Sequence, residues 1–154
     1  LILSNVSIFA VIKIKKGLVG DKWSYKLKPF ILDNNFLSDD IQKVFLVSNL
    51  PLPILESLKM VFPSLLNSYQ RRYFLSADKK FRATLDFELQ YHKIENRFNN
   101  FNLKPSLDPN KIVELKYKLE HDNLANKVTT QFPFRLNKNS KYVNGINTIK
   151  QFPQ

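Results

Sequence analysis

Hydrophobic and polar positions alternate along the first thirty residues. From Val6 to Ile14 β-branched and aromatic residues dominate, and "IKIKK" sets Ile12 and Ile14 against Lys13 and Lys15 with a period of two. The turn "KGLVGD" holds two of the chain's three glycines and "KWSYKLKPF" alternates again, so a hairpin is expected from about Val6 to Phe30. At Leu37 the period changes. Ile41, Val44, Phe45 and Val47 recur at helical spacing behind Ser38, a candidate N-cap, with Asp39 and Asp40 in the first turn, which predicts a helix over about Asp39–Ser48. "LPLP" interrupts it, and "ILESLKMVF" predicts a second helix that stops before Pro63.

Strands are expected again at Ser68–Leu75 and Phe81–Tyr91, joined by the turn "SADKK". The asparagine- and proline-rich "ENRFNNFNLKPSLDPN" reads as a loop, with Asp108, Pro109 and Asn110 turning into the strand "KIVELKYKL". The tail "NKVTTQFPFRLNKNSKYVNGINTI" is mixed, with a short helix at its end. This is an α+β pattern, one antiparallel sheet interrupted by a helical pair, in a single domain over residues 1–154.

Residues two apart on a strand share a face. Phe81, Ala83, Leu85 and Phe87 are therefore expected on one side of their strand, and Arg82, Thr84, Asp86 and Glu88 on the other. Likewise Val113, Leu115 and Tyr117 oppose Ile112, Glu114, Lys116 and Lys118. Two arrangements satisfy this pattern. A flat sheet would turn its charged side to water. A sheet curled into a barrel with that side inward would form a basic cage for a chain of phosphates, in which Asp86 and Glu114 would need a divalent cation between them and the anion.

Composition narrows the chemistry. Of 154 residues 44% are apolar and 13% aromatic, enough for a core, and the net charge of +11 draws polyanions without selecting one. The absence of cysteine excludes disulfides, thiolate metal sites and a cysteine nucleophile. His92 and His121 are far apart with no zinc-binding spacing, so any metal would be a hard ion held by carboxylates and phosphate oxygens. No apolar run is long enough for a membrane span. The opening "LILSNVSIFAVI" lacks a basic leader and reads as a strand, and a first residue other than Met suggests an excised piece or a chain whose beginning is missing.

Four segments in order, "SYQRRYFL", "FRATLDFEL", "IVELKY" and "FRLNKNSKYVNGI", resemble the VTC domain, the polyphosphate polymerase domain of the vacuolar transporter chaperone family within the triphosphate tunnel metalloenzymes. The resemblance implies a closed antiparallel β-barrel or tunnel, and transfer of the terminal phosphoryl of ATP to a growing polyphosphate chain. Carried over by position, it implies phosphate-binding and catalytic roles for Arg71, Arg82 and Lys116, phosphate binding by Lys141, and a metal-binding role for Glu114 toward Mn or Mg. Arg72, Asp86 and Arg135 are further candidates. Two basic strands that open the family pattern are absent here. "VIKIKKG" offers Lys13 and Lys15, and "SYKLKPF" offers Lys26 and Lys28, where family members carry acidic and basic residues, so an incomplete tunnel is expected. Triphosphate, polyphosphate and ATP are the implied ligands, DNA is not, a partner could cover an open sheet edge, and the implied location is cytoplasmic. Two other readings stay open: a non-catalytic remnant that binds a polyanion or a partner, and a sequence-tolerant nucleic-acid binder, which no nucleic-acid motif supports.

Overall fold

The alternation in the first segment closes as a hairpin. Phe9–Lys16 (β1) pairs antiparallel with Val19–Lys26 (β2), with Phe9 opposite Lys26 and Lys13 opposite Lys22. The computed structural model describes residues 8–16, 19–95, 99, 101, 104–135 and 137–151, without the side chains of 14–16, 19–21, 38 and 151. Within these the chain divides into two compact units. One comprises residues 1–64 and 93–104, the other residues 65–92 and 105–154.

The first unit holds the hairpin and the helical pair. Helix α1 spans Ser38–Val47 and α2 spans Leu52–Lys59. The N-cap of α1 is Leu37 rather than Ser38. It is capped from inside the helix, the Leu37 amide donating to Asp40 Oδ2 at 2.8 Å, which satisfies a group the helix cannot. Gln42 Nε2 donates to the carbonyls of Leu58 and Val61 at 3.2 and 3.0 Å, tying the two helices together. Helix α2 ends at Lys59, short of the expected Phe62, because Pro63 drives the residue before it out of helical geometry.

The second unit is built on one long strand. β4, Phe81–Lys93, pairs with β3, Leu65–Leu75, along one edge. Along its other edge lie β6, Ile112–Tyr117, and the short β5, Ser106–Asp108, placed end to end. The unpaired residues between the two ladders are Phe87 and Glu88 on β4, against Pro109, Asn110 and Lys111 opposite. Glu88 there adopts φ 55°, a left-handed turn that marks a bulge.

That bulge shifts the strand's parity by one. Thr84 and Asp86 are buried before it, Leu89 and Tyr91 after it. The charged face read from the sequence therefore continues into the apolar core, and Asp86 stands directly opposite the buried Ile112. Leu89, Tyr91, Ile112 and Ile149 form that core with Leu65 packed against it. Each such burial is worth about 1.5–3 kcal/mol.

Helix α4, Lys141–Gln151, supplies Ile149 and covers this end of the sheet. Lys141, Gly145 and Ile149 recur one turn apart on one stripe. Gly145 is required by contact: a Cβ there would sit 2.6 Å from Leu65 Cδ2 and 2.6 Å from Tyr91 Cδ1. On the opposite face of the sheet, Phe81 packs on Tyr117 and His121, and Tyr117 donates its hydroxyl to Asp122 at the start of α3, Asp122–Thr129.

Among the described residues neither sheet closes on itself. The expected barrel is not formed by these strands, because β5 and β6 share one edge of β4 and leave the larger sheet three strands wide, too narrow to curl round a lumen. Among the described residues the architecture is mixed α+β, with antiparallel sheets and four α-helices.

Candidate anion-binding face

Strand geometry gathers three of the cations expected from the sequence, Arg71, Arg82 and Lys116. Cross-strand partners share a face, and the β4–β6 register places Lys116 opposite Arg82 and Glu114 opposite Thr84. Arg71 reaches the same face from β3, where it bonds Asp86. Lys141 reaches it from the first residue of α4. Arg71, Arg82, Glu114, Lys116 and Lys141 thus lie on one side of one sheet.

Asp86 is the hub of the arrangement, and its side chain is fully inaccessible. Arg71 donates to it twice, Nε to Oδ1 at 2.5 Å and Nη2 to Oδ2 at 2.7 Å, the fork geometry that suits guanidinium and carboxylate. Lys141 Nζ stands 2.5 Å from Oδ2. Burial pushes the Asp86 carboxyl up, but the bonds from Arg71 and Lys141 outweigh it and hold the group below its ordinary 3.8. The bond to Asp86 in turn raises Arg71 above its usual value. Two tyrosines complete the setting. The Arg71 guanidinium lies 5.0 Å from the centre of the Tyr69 ring and 5.9 Å from that of Tyr73, and Lys141 Nζ lies 4.7 Å over Tyr69.

A cavity of about 260 Å³ opens beside this hub, lined by Arg71, Tyr73, Leu75, Arg82, Thr84 and Lys116 among others. Thr84 Oγ1 is buried without a hydrogen-bond partner among the described residues, an arrangement that ordinarily costs about 1–3 kcal/mol. Arg82 is exposed and has no carboxylate within ion-pair distance among the described residues. Lys116 stands 3.3 Å from Glu114, both about half exposed, a pairing worth little in water. Counting Arg71, Arg82, Lys116 and Lys141 against Asp86 and Glu114, four positive charges face two negative ones, and the face carries a cationic excess of two.

The remaining expected residues are placed elsewhere. Arg72 lies over the Phe87 ring at 5.4 Å, on the other face of the sheet. Arg135 is exposed on the segment between α3 and α4. Lys13 and Lys26 are exposed on the β1–β2 hairpin of the first unit, and the side chain of Lys15 lies outside the described ones. Asp86 emerges as the centre of the face rather than one of its lesser members. Tyr69 and Thr84 were not singled out, although their spacing of two from Arg71 and from Arg82 and Asp86 put them on these faces.

Among the described residues no three histidines or carboxylates converge as a metal cage. Asp86 is committed to two cations, so among the described residues of this face the carboxylate open to solvent is Glu114. A single carboxylate suits a magnesium-like ion that takes its other ligands from phosphate oxygens and water.

A known family model, described as VTC domain, matches residues 4–150. No curated protein and no solved structure was found to match the chain. Among the described residues no helix is long and apolar enough to cross a membrane.

Proposed function

The chain belongs to the VTC domain family, whose function is polyphosphate-related, and on that premise we propose that the Arg71–Arg82–Lys116 face binds the phosphates of a polyphosphate or nucleoside triphosphate for phosphoryl transfer. The observation that carries this reading is the convergence of three cations, Arg71, Arg82 and Lys116, on one cavity of about 260 Å³. Phosphoryl transfer needs little covalent help from a protein; it needs aligned phosphates and fixed positive charge where negative charge builds up.

In this reading Arg71 and Arg82, on adjacent strands, hold neighbouring phosphate groups by charge-assisted hydrogen bonds. Lys116 and Lys141 add point charges on either side. The terminal oxygen of the growing chain attacks the γ-phosphorus of ATP, the bond to the β–γ bridging oxygen breaks, and ADP leaves with that electron pair. Mg or Mn, held by Glu114, would supply further neutralisation of phosphate charge.

A second reading, a non-catalytic polyanion-binding module, is favoured by the open sheet, which leaves the face accessible to water and weakens each charge interaction there. Two assays test them, and the second separates them. Tripolyphosphate binding with and without manganese is expected for both, with loss in Arg82→Ala and no change in Lys43→Ala, whose lysine pairs with Asp40 on α1. Equal effects of the two substitutions would count against the face. ADP release from ATP with growth of a phosphate chain is expected only for the polymerase.

A further inference from the structure

The proposal below rests on the phosphate-binding reading of this face and concerns a residue that touches no phosphate in it. Asp86 is a negative charge in the middle of a site for anions. On Coulomb's law alone it should weaken binding, since a carboxylate a few ångströms from a phosphate repels it. Yet it is fully buried, accepts three charge-assisted bonds, and stands opposite the apolar Ile112 at the edge of the core. Desolvating a carboxylate is expensive and calls for a compensating role.

Geometry supplies one. A guanidinium carries five N–H donors in a rigid fork. Asp86 takes the Nε edge of Arg71 and one Nη2 hydrogen, which leaves the three remaining donors directed away from the carboxylate, and Arg71 lines the cavity. Without Asp86 the long side chain would sample several rotamers, and binding would have to order it. The same carboxylate holds Lys141, the first residue of α4. A lysine at a helix N-terminus opposes the helix dipole, so the bond to Asp86 also makes this start of the helix tolerable. The middle of the Lys141–Gly145–Ile149 stripe is held by the close fit of Gly145 against Leu65 and Tyr91, and its far end by Ile149 in the core.

We propose that Asp86 is the positioning residue of this site, orienting Arg71 toward the cavity and latching α4 to the sheet through Lys141, so that phosphate binding and docking of α4 are one linked equilibrium. By linkage, whatever loosens α4 weakens binding, and bound phosphate holds α4 down.

The test turns on a sign. In Asp86→Asn the site loses a negative charge, and its net charge rises by one. If Asp86 only repels, tripolyphosphate binds more tightly; if it positions Arg71 and Lys141, binding weakens by about ten- to a hundredfold, the scale of one lost charge-assisted hydrogen bond. Calorimetric titration at fixed ionic strength reads this directly. Circular dichroism confirms that the variant is folded, and Asp86→Glu, which restores the charge, is expected to recover part of the affinity. Should Asp86→Asn not fold, the unsubstituted chain still decides the linkage: hydrogen exchange over Lys141–Gln151 is expected to slow when tripolyphosphate is added. Tighter or unchanged binding in Asp86→Asn overturns the proposal, as does unaltered exchange in α4 at saturating tripolyphosphate. If the unsubstituted chain binds no tripolyphosphate, the phosphate-binding reading itself fails, a result distinct from either.

Discussion

The β1–β2 hairpin and the β3–β6 sheet present the same alternation of apolar and basic residues, yet the structure uses it differently. On the hairpin Lys13 and Lys26 stand exposed beside Phe9 and Val11, which are 50% and 42% exposed, and Lys13 faces Lys22 across the strands. These are charges on flexible stems over a surface that buries little. On the larger sheet a similar density of cations is anchored by one inaccessible carboxylate, two tyrosines and a helix. Charge brings an anion near either surface. Fixed donors convert that attraction into a site, because the entropy of ordering them is already spent.

Removing the anchor should give the largest effect. Asp86→Ala leaves Arg71 and Lys141 partly buried without a counter-charge, and a loss of about 3 kcal/mol is expected, the low end for a broken buried pair because about a quarter of each cationic side chain stays in solvent. Urea denaturation measures it. The double substitution Lys13→Ala, Lys26→Ala on the hairpin should cost under about 0.5 kcal/mol in the same assay.

Gly145→Ala comes next. The new methyl overlaps Leu65 and the Tyr91 ring, so α4 must shift, and a destabilisation of about 1–3 kcal/mol is expected from thermal unfolding.

A pH series should separate the regions more finely. The native Asp86 carboxyl lies below its ordinary 3.8, so its contribution is present in full above that value and is lost as pH falls through the depressed native value. The stability gap between the unsubstituted chain and Asp86→Asn is expected to stay constant from neutrality to about pH 4 and to shrink below it. A gap that closes above pH 5 would contradict this assignment. Asp40 and Asp78, also depressed, are common to both proteins and cancel in the comparison.

The smallest expected effect concerns the exposed cations. Arg82→Ala should weaken tripolyphosphate binding by about tenfold, and Lys13→Ala or Lys26→Ala by less than about twofold, at an ionic strength where long-range attraction is screened.

Much of this was legible in the sequence. Alternation located β1, β2, β3, β4 and β6, and the change of period located α1 and the start of α2. Of the cationic residues of the face, Arg82 and Lys116 followed from a spacing of two within strands, and Arg71 and Lys141 only from the family resemblance. Other parts were not readable. β5 is three residues long between Pro105 and Pro109, too short for any period to show. In α3 the polar Asp122, Asn123, Asn126 and Lys127 hide a stripe of only Leu124, Ala125 and Val128. The parity shift at Glu88 had no local signal, since neither glycine nor asparagine stands where the backbone turns left-handed. That shift decided the most. It carried Asp86 from a face read as solvent-side or tunnel-lining into the edge of the core, where an acid becomes an organiser of its neighbours. Whether the sheet curls into the barrel of the family pattern depends on how many strands share it, a property of long-range pairing that no local pattern encodes.

Amide and side-chain NMR shifts during a titration with tripolyphosphate would test the central claim most directly. The account predicts saturable changes centred on Arg71, Thr84, Arg82, Glu114, Lys116 and Lys141, with only weak, salt-sensitive drift at Lys13 and Lys26. Changes centred on the β1–β2 hairpin, or drift of equal size across both regions without saturation, would contradict it.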